Sequence, residues 1–124
     1  MINNDQFNRI VSWFFYLKLT NKLYHWNTNF FSRHKATDEF NSNLEELIDK
    51  FVEVFMGTYK MKPYINKIKI ENQYLSDDGI IELFELTKQF LISFDSMIDD
   101  TSLLNIRDEM LAEVNKTLYL FTLK

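Results

Sequence analysis

Apolar residues recur at intervals of three and four along most of the chain, which is the spacing of one face of an α-helix. The pattern predicts four helices, over residues 5–27, 36–61, 78–98 and 103–123. The second helix has the cleanest pattern, and its apolar positions are Phe40, Leu44, Leu47, Ile48, Phe51, Val52, Phe55 and Tyr59. The single proline, Pro63, begins a stretch without helical periodicity that ends near Ser76, where Ser76-Asp77-Asp78 is typical of a helix N-cap.

The connections between the helices indicate how they pack. Short connections after the first and third helices imply two antiparallel hairpins. The connection between the second and third helices has roughly 15 residues, and it can reach about 50 Å when extended, whereas a helix of about 22 residues is only about 33 Å long. The spacing therefore permits a lengthwise crossover, as in ferritin-like bundles. We expect an all-α, ferritin-like four-helix bundle with this long crossover, forming one domain over residues 1–124.

Composition excludes several classes of function. The absence of cysteine excludes disulfides, zinc fingers and thiol nucleophiles. The net charge of −4 argues against a general nucleic-acid-binding domain, since such domains are usually basic. No apolar run reaches the length of about 18 residues that a membrane span needs, and the opening residues MINNDQFNRI lack the pattern of a signal peptide. We therefore expect a cytoplasmic protein with no membrane partner.

A polar stripe follows the second predicted helix. His34 lies just before that helix and precedes Asp38 by one turn, and Asp49 precedes Glu53 by the same spacing. At about 100° per residue, Asp38 and Asp49 point within about 20° of each other. The apolar positions are centred about 120° or more away. The stripe is therefore predicted to face away from the core of its own chain.

The length of the stripe divides it into two half-sites. Asp38 and Asp49 are about 16 Å apart along the helix axis, too far for one metal ion bound at about 2 Å per ligand. If two copies of this helix packed antiparallel about a two-fold axis, the acidic pair of one chain would face His34 and Asp38 of the other. Imidazole with carboxylates is a ligand set that suits iron better than copper(I) or calcium. These residues alone do not distinguish a metal site from an ordinary solvated helix face, and a solvated face is the commoner explanation of such a stripe.

Other chemistries find little support in the residues. His25-Trp26 at the end of the first helix is, by itself, more typical of packing than of a site. A ferritin site within one bundle needs Glu-x-x-His on two helices, and neither histidine is so placed. We find no plausible serine–histidine–acid triad and no phosphate-binding glycine loop.

A longer run of residues resembles a known family. Leu23-Tyr24-His25-Trp26-Asn27, followed by Phe30, Phe31 and His34 with Asp38, resembles the signature of the Dps family, the mini-ferritins also called DNA-binding proteins from starved cells. The family pattern continues with Leu47-Ile48-Asp49 and Glu53. The resemblance is specific over residues 23–55 and looser over residues 100–121.

The resemblance implies a ferroxidase centre between two subunits. His25, His34 and Asp38 would come from one chain, and Asp49 and Glu53 from the other, with Trp26 beside the metal. The implied reaction is oxidation of iron(II) by peroxide or dioxygen at a di-iron centre. Iron(III) would then be stored, which would protect against peroxide damage. The implied assembly is a homo-oligomer, at least a two-fold dimer and in the family a dodecameric shell.

Some features depart from the family pattern. The connection between His25 and His34 is shorter than the usual family loop and lacks its Arg-Gly segment. The N-terminus has no Lys/Arg-rich arm, so DNA binding, which some members show, has no support here. The lysines at positions 60, 62, 67 and 69 form a basic patch, which is more typical of a solvated loop than of a phosphate-binding surface. The alternative function is a non-enzymatic helical dimer or interaction module that keeps the fold without oxidising iron.

Overall fold

A computed structural model describes residues 1–124. It contains four α-helices and no β-strand. The helices are α1 (Asn4–Asn27), α2 (Phe31–Tyr59), α3 (Asp77–Ile92) and α4 (Thr101–Leu120). Two short 3₁₀ helices, Asn72–Tyr74 and Ser93–Ser96, precede and follow α3. The prediction of an all-α fold with four helices is confirmed. None of the four is both long enough and apolar enough to cross a membrane.

Side chains at the helix starts account for three of the boundaries. Asn3, Ser76 and Asp100 each accept a hydrogen bond from a backbone N–H in the first turn of α1, α3 and α4. These bonds satisfy N–H groups that have no partner within the helix. At the other end of α2, Lys60 takes a left-handed conformation with φ of 57°, and its N–H donates to Met56 O. That conformation ends α2 without a glycine.

Two predicted boundaries are wrong, and one of them moves a candidate residue. Helix α2 begins at Phe31, five residues before the predicted start, so His34 lies within its first turns and not before it. The connection from α1 is correspondingly short, and the Phe30 N–H donates to Thr28 Oγ1 across it. Helix α3 was predicted to continue to residue 98, but it ends at Ile92. The 3₁₀ helix Ser93–Ser96 follows it directly. There Ser93 Oγ donates to a backbone carbonyl, an alternative that serine offers to regular helix bonding.

The helices pack in a closed ring, because α1 and α4 each contact both α2 and α3. Tyr24 at the end of α1 hydrogen-bonds to Asp77 at the start of α3, so these two helices are antiparallel. Arg33, near the start of α2, also lies beside Asp77, whereas Phe51, late in α2, lies beside Phe94, beyond the end of α3. Helices α2 and α3 therefore run parallel.

The connection between α2 and α3 runs the length of the bundle along α1. Near the start of α1, Asn4 donates to Lys62 O and Asn8 accepts from the Tyr64 N–H. Further along α1, the rings of Tyr16 and Tyr74 meet edge to face. We call this connection, residues 60–76, the crossover segment. The end of the crossover segment packs so closely against α3 that a Cβ atom at Gly79 would collide with the backbone carbonyl of Gln73. Only glycine fits at this position.

The core is built largely from phenylalanine. Phe7 stacks on Phe55 with ring centroids 3.9 Å apart, and Phe14 meets Phe51 edge to face at 5.5 Å. Phe51 also contacts Phe94, so one ring joins α1, α2 and the end of α3. Rings of this size bury a large apolar area in a small bundle. Aromatic residues make up 16% of the chain, and this packing accounts for that high content.

Candidate metal centre

The two histidines face each other across the connection between α1 and α2. His25 lies in the last turn of α1 and is 6% exposed, and His34 lies in the first turns of α2 and is exposed. Their rings are stacked, with centroids 3.9 Å apart and planes 16° from parallel. The short connection that departs from the Dps pattern thus brings both imidazoles into contact.

Each histidine is held by the backbone of the other. His25 Nδ1 lies 2.6 Å from His34 O, and His34 Nδ1 lies 2.9 Å from His25 O. A carbonyl oxygen only accepts, so both Nδ1 atoms carry hydrogen and donate. In the neutral ring the free lone pair is then on Nε2, and neither Nε2 has a hydrogen-bond partner within the chain. Metal-binding histidines commonly donate their second ring N–H in this way.

Thr37 adds a second contact to the buried histidine. Its hydroxyl oxygen lies 3.0 Å from His25 Nδ1 and donates its own hydrogen to Arg33 O at 2.7 Å. The Thr37 side chain is fully buried. Because its single hydrogen is directed elsewhere, the hydroxyl oxygen can accept from the imidazole. This contact fixes the orientation of the His25 ring.

A polar network next to the histidines ties the ends of three helices together. The Arg33 guanidinium donates to Tyr24 Oη at 3.0 Å and to Asp77 O at 2.8 Å, and it lies over the ring of Phe121. Tyr24 Oη in turn donates to the Asp77 carboxylate at 2.5 Å. Burial, followed by the hydrogen bond to Asp77, raises the pKa of Tyr24. The network holds the α1–α2 connection, and with it the histidine pair, against α3.

The carboxylates of the stripe point to solvent. Asp38, Asp49 and Glu53 are all exposed, as the helical spacing predicts. Asp38 borders one shallow groove between α1 and α2, and Asp49 borders the next groove along the same helices. Lys18 lies between the two grooves and pairs with Glu45 at 3.0 Å. The acidic pair is separated from the histidines along the axis of α2.

One chain alone does not bring the five candidate residues together. No group of three or more acidic or histidine side chains lies close enough to hold a single ion. The structure places His25 beside His34, with Asp38 one turn beyond. Asp49 lies about 16 Å further along α2, and Glu53 about 22 Å further. The separation along α2 agrees with the helical spacing, and the assignment of these residues to two half-sites stays a prediction.

Trp26 follows His25 at the end of α1 and points outward. Its side chain is 66% exposed, and Lys22 Nζ lies 5.4 Å from its ring centroid. An indole so exposed contributes little to the core of its own chain. Its position next to the histidine pair leaves it available to a second molecule.

The supporting residues of the site were not predicted. Thr37 contacts His25 from the neighbouring helix, twelve residues away in the sequence, and no local spacing indicates that contact. The pairing of Lys18 with Glu45 joins residues on different helices, and nothing in their local sequence indicates it. Nor does the spacing of the histidines show that each Nδ1 binds the other's carbonyl.

Comparison with known proteins places the chain in a family. The family model of DUF5856, a family of unknown function, matches residues 25–121, well over half of the chain. The chain belongs to DUF5856. The matched range of this DUF5856 protein begins at His25 and includes all five candidate residues. No curated protein matches the chain, and no solved structure does.

Proposed function

We propose that this DUF5856 protein is a Dps-like, ferritin-type subunit that binds iron(II) between two chains and oxidises it. The observation that carries the proposal is the histidine pair, whose Nδ1 atoms donate to backbone carbonyls and whose Nε2 atoms have no partner in the chain. This arrangement leaves both Nε2 lone pairs available to a metal ion. The fold proposed with this function is the ferritin-like bundle, supported by the parallel α2 and α3 and the lengthwise crossover segment.

The donor set fits iron. The two imidazoles are already in contact, whereas the Asp38 carboxylate does not converge on them within one chain. In the proposed site Asp38 would join the histidines as one half-site, and Asp49 with Glu53 of a second copy would complete it. Mixed nitrogen and carboxylate ligands are typical of iron sites, whereas magnesium and calcium take oxygen ligands. Carboxylates also favour the more highly charged iron(III), so they would shift the equilibrium towards oxidation.

The geometry of α2 supports a two-fold arrangement. The midpoint between the two half-sites falls near residues 43 and 44, where the outward-facing side chains are Ser42 and Glu45. An axis there would bring two acidic helix faces together. Serine is small enough to allow close approach, and Lys18 pairs with Glu45 within each chain, which reduces the repulsion at the axis.

Apolar residues of α1 border the same surface. Phe15 is 41% exposed beside the groove of Asp49, and Leu19 is 46% exposed beside the groove of Asp38. A second copy packed on α2 would cover both side chains, and burial of apolar area favours association. This observation also fits the alternative, a non-enzymatic helical dimer, which would use the same surface without iron.

The reaction needs two iron(II) ions for each peroxide. Each ion loses one electron, and the peroxide takes up both electrons and two protons to give two water molecules. The protein holds the ions near each other through the two half-sites and supplies carboxylates for the product. Storage of iron(III) inside a shell, which in the Dps family is dodecameric, forms part of the proposal. Trp26 would lie beside the site.

The test is an oxidation assay combined with a size measurement. When iron(II) and then peroxide are added, the protein should consume iron(II) and produce iron(III) absorbance in the near ultraviolet faster than buffer does. Zinc(II), which takes the same ligands but has no redox chemistry, should inhibit the reaction. Light scattering should show a particle of at least twice the 15.0 kDa chain. A dimer that oxidises iron no faster than buffer would establish the non-enzymatic alternative.

A further inference from the structure

A solvent-open groove with a volume of about 590 Å³ lies between α1, α3 and the crossover segment, and we call it the cavity. No residue of α2 lines it, and none of the candidate metal ligands does. Its volume is within the range of small-molecule sites, roughly 300–1,000 Å³. The cavity is therefore separate from the proposed iron site.

Two aromatic pairs form the walls of this cavity. Trp13 stacks on Phe90 with centroids 4.6 Å apart and planes 10° from parallel, and Tyr16 meets Tyr74 at 6.4 Å. Trp13 Nε1 donates to Thr87 Oγ1 at 3.1 Å, which fixes the indole in its orientation. All four rings are only half-buried, so their remaining surface is open to the cavity. Rings held in place in this way offer a preformed apolar surface to a ligand.

The side chains around the cavity carry a net positive charge, although the chain as a whole is negatively charged. Arg9, Lys67 and Lys69 line it, against the single carboxylate of Glu71, whereas the chain as a whole has a net charge of −4. All three cations are exposed, and none of them forms an ion pair within the chain. Unpaired cations at the edge of an apolar cavity complement an anionic ligand.

We propose that this cavity binds a small organic anion with a flat aromatic body. The aromatic body would pack between the Trp13–Phe90 pair and Tyr74, and the anionic group would lie against Lys67 and Lys69. Aromatic walls favour a flat ring, since rings pack well edge to face or in offset stacks. The volume admits one ligand of two or three rings. The proposal is independent of the iron chemistry.

The probe for this site is 1-anilinonaphthalene-8-sulfonate, a fluorescent aromatic anion. The chain should bind one molecule per cavity, and the double variant Lys67→Gln/Lys69→Gln should bind it roughly tenfold more weakly. The matched control is Lys60→Gln/Lys62→Gln, which removes the same charge from the same segment but outside the cavity. It should leave the affinity unchanged. The uncharged analogue N-phenyl-1-naphthylamine should bind all three proteins equally.

A second variant tests the location. Ser12 lines the cavity from α1, and Ser12→Trp should fill it and abolish saturable binding of both probes. If Ser12→Trp still binds the sulfonate as wild type does, the probe lies elsewhere and the proposal is wrong. Equal weakening by both lysine pairs would likewise overturn it, because it would show only long-range attraction. Circular dichroism establishes that each variant is folded.

Discussion

A chain that carries both His34→Ala and Asp49→Ala is expected to oxidise iron(II) no faster than buffer. The two changes remove one ligand from each half-site, so no interface between two such chains retains an intact site. Loss of a residue that only supports a metal ligand commonly lowers metal affinity by about 10- to 100-fold, so loss of two ligands should lower it by more than about a hundredfold. The measurement is the initial rate of iron(III) formation after addition of peroxide.

The matched control for this variant is Glu109→Gln. Glu109 is an exposed carboxylate on α4 that is not among the candidate ligands, and its replacement changes the net charge by one unit as Asp49→Ala does. Its oxidation rate should equal that of wild type. His34 and Asp49 are both exposed, so neither substitution should unfold the chain. Iron oxidation at the wild-type rate by the double variant would rule out the proposed site.

Phe51→Ala is expected to lower the free energy of unfolding by about 3–5 kcal/mol. The ring is fully buried, and it contacts Phe14, Phe55 and Phe94. Removing it leaves a cavity where α1, α2 and the end of α3 meet. Domains of this size are usually stable by only about 5–15 kcal/mol, so the loss should be a large fraction of the total. Urea denaturation followed by circular dichroism gives the value.

Phe31→Ala is the control for that prediction, because it removes the same side chain from a position that is 72% exposed. Its effect on unfolding should stay within about 0.5 kcal/mol. Equal losses at Phe31 and Phe51 would contradict the burial of the Phe51 ring in the core.

The helices could be predicted because burial on one face imposes a regular spacing. The start of α2 could not, since neither proline nor glycine marks the boundary and the residue before the helix, Phe30, makes no side-chain capping hydrogen bond. The end of α3 also lies earlier in the structure than the apolar spacing predicts. Its apolar spacing continues to Ile98, but the backbone has already tightened at Ser93.

The candidate site was predictable where it depends on spacing along one helix. Asp38, Asp49 and Glu53 fall on one exposed stripe, as helical geometry requires. The histidine contact depends instead on the path of three connecting residues, and His25 entered the prediction only through the resemblance to the Dps family. Lys67 and Lys69 were interpreted as part of a solvated loop, because their proximity to Trp13 and Phe90 exists only in the folded bundle.

The central claim, that each site is shared between two chains, is tested most directly by mixing two inactive variants. His34→Ala chains and Asp49→Ala chains should each be inactive alone. After exchange of subunits, each mixed pair has one intact site out of two, so the mixture should recover about one quarter of wild-type activity. The control is wild type mixed with the double variant, which should fall from about half to about one quarter of wild-type activity as subunits exchange. No recovery in the first mixture, with the second showing that exchange occurred, would contradict a shared site.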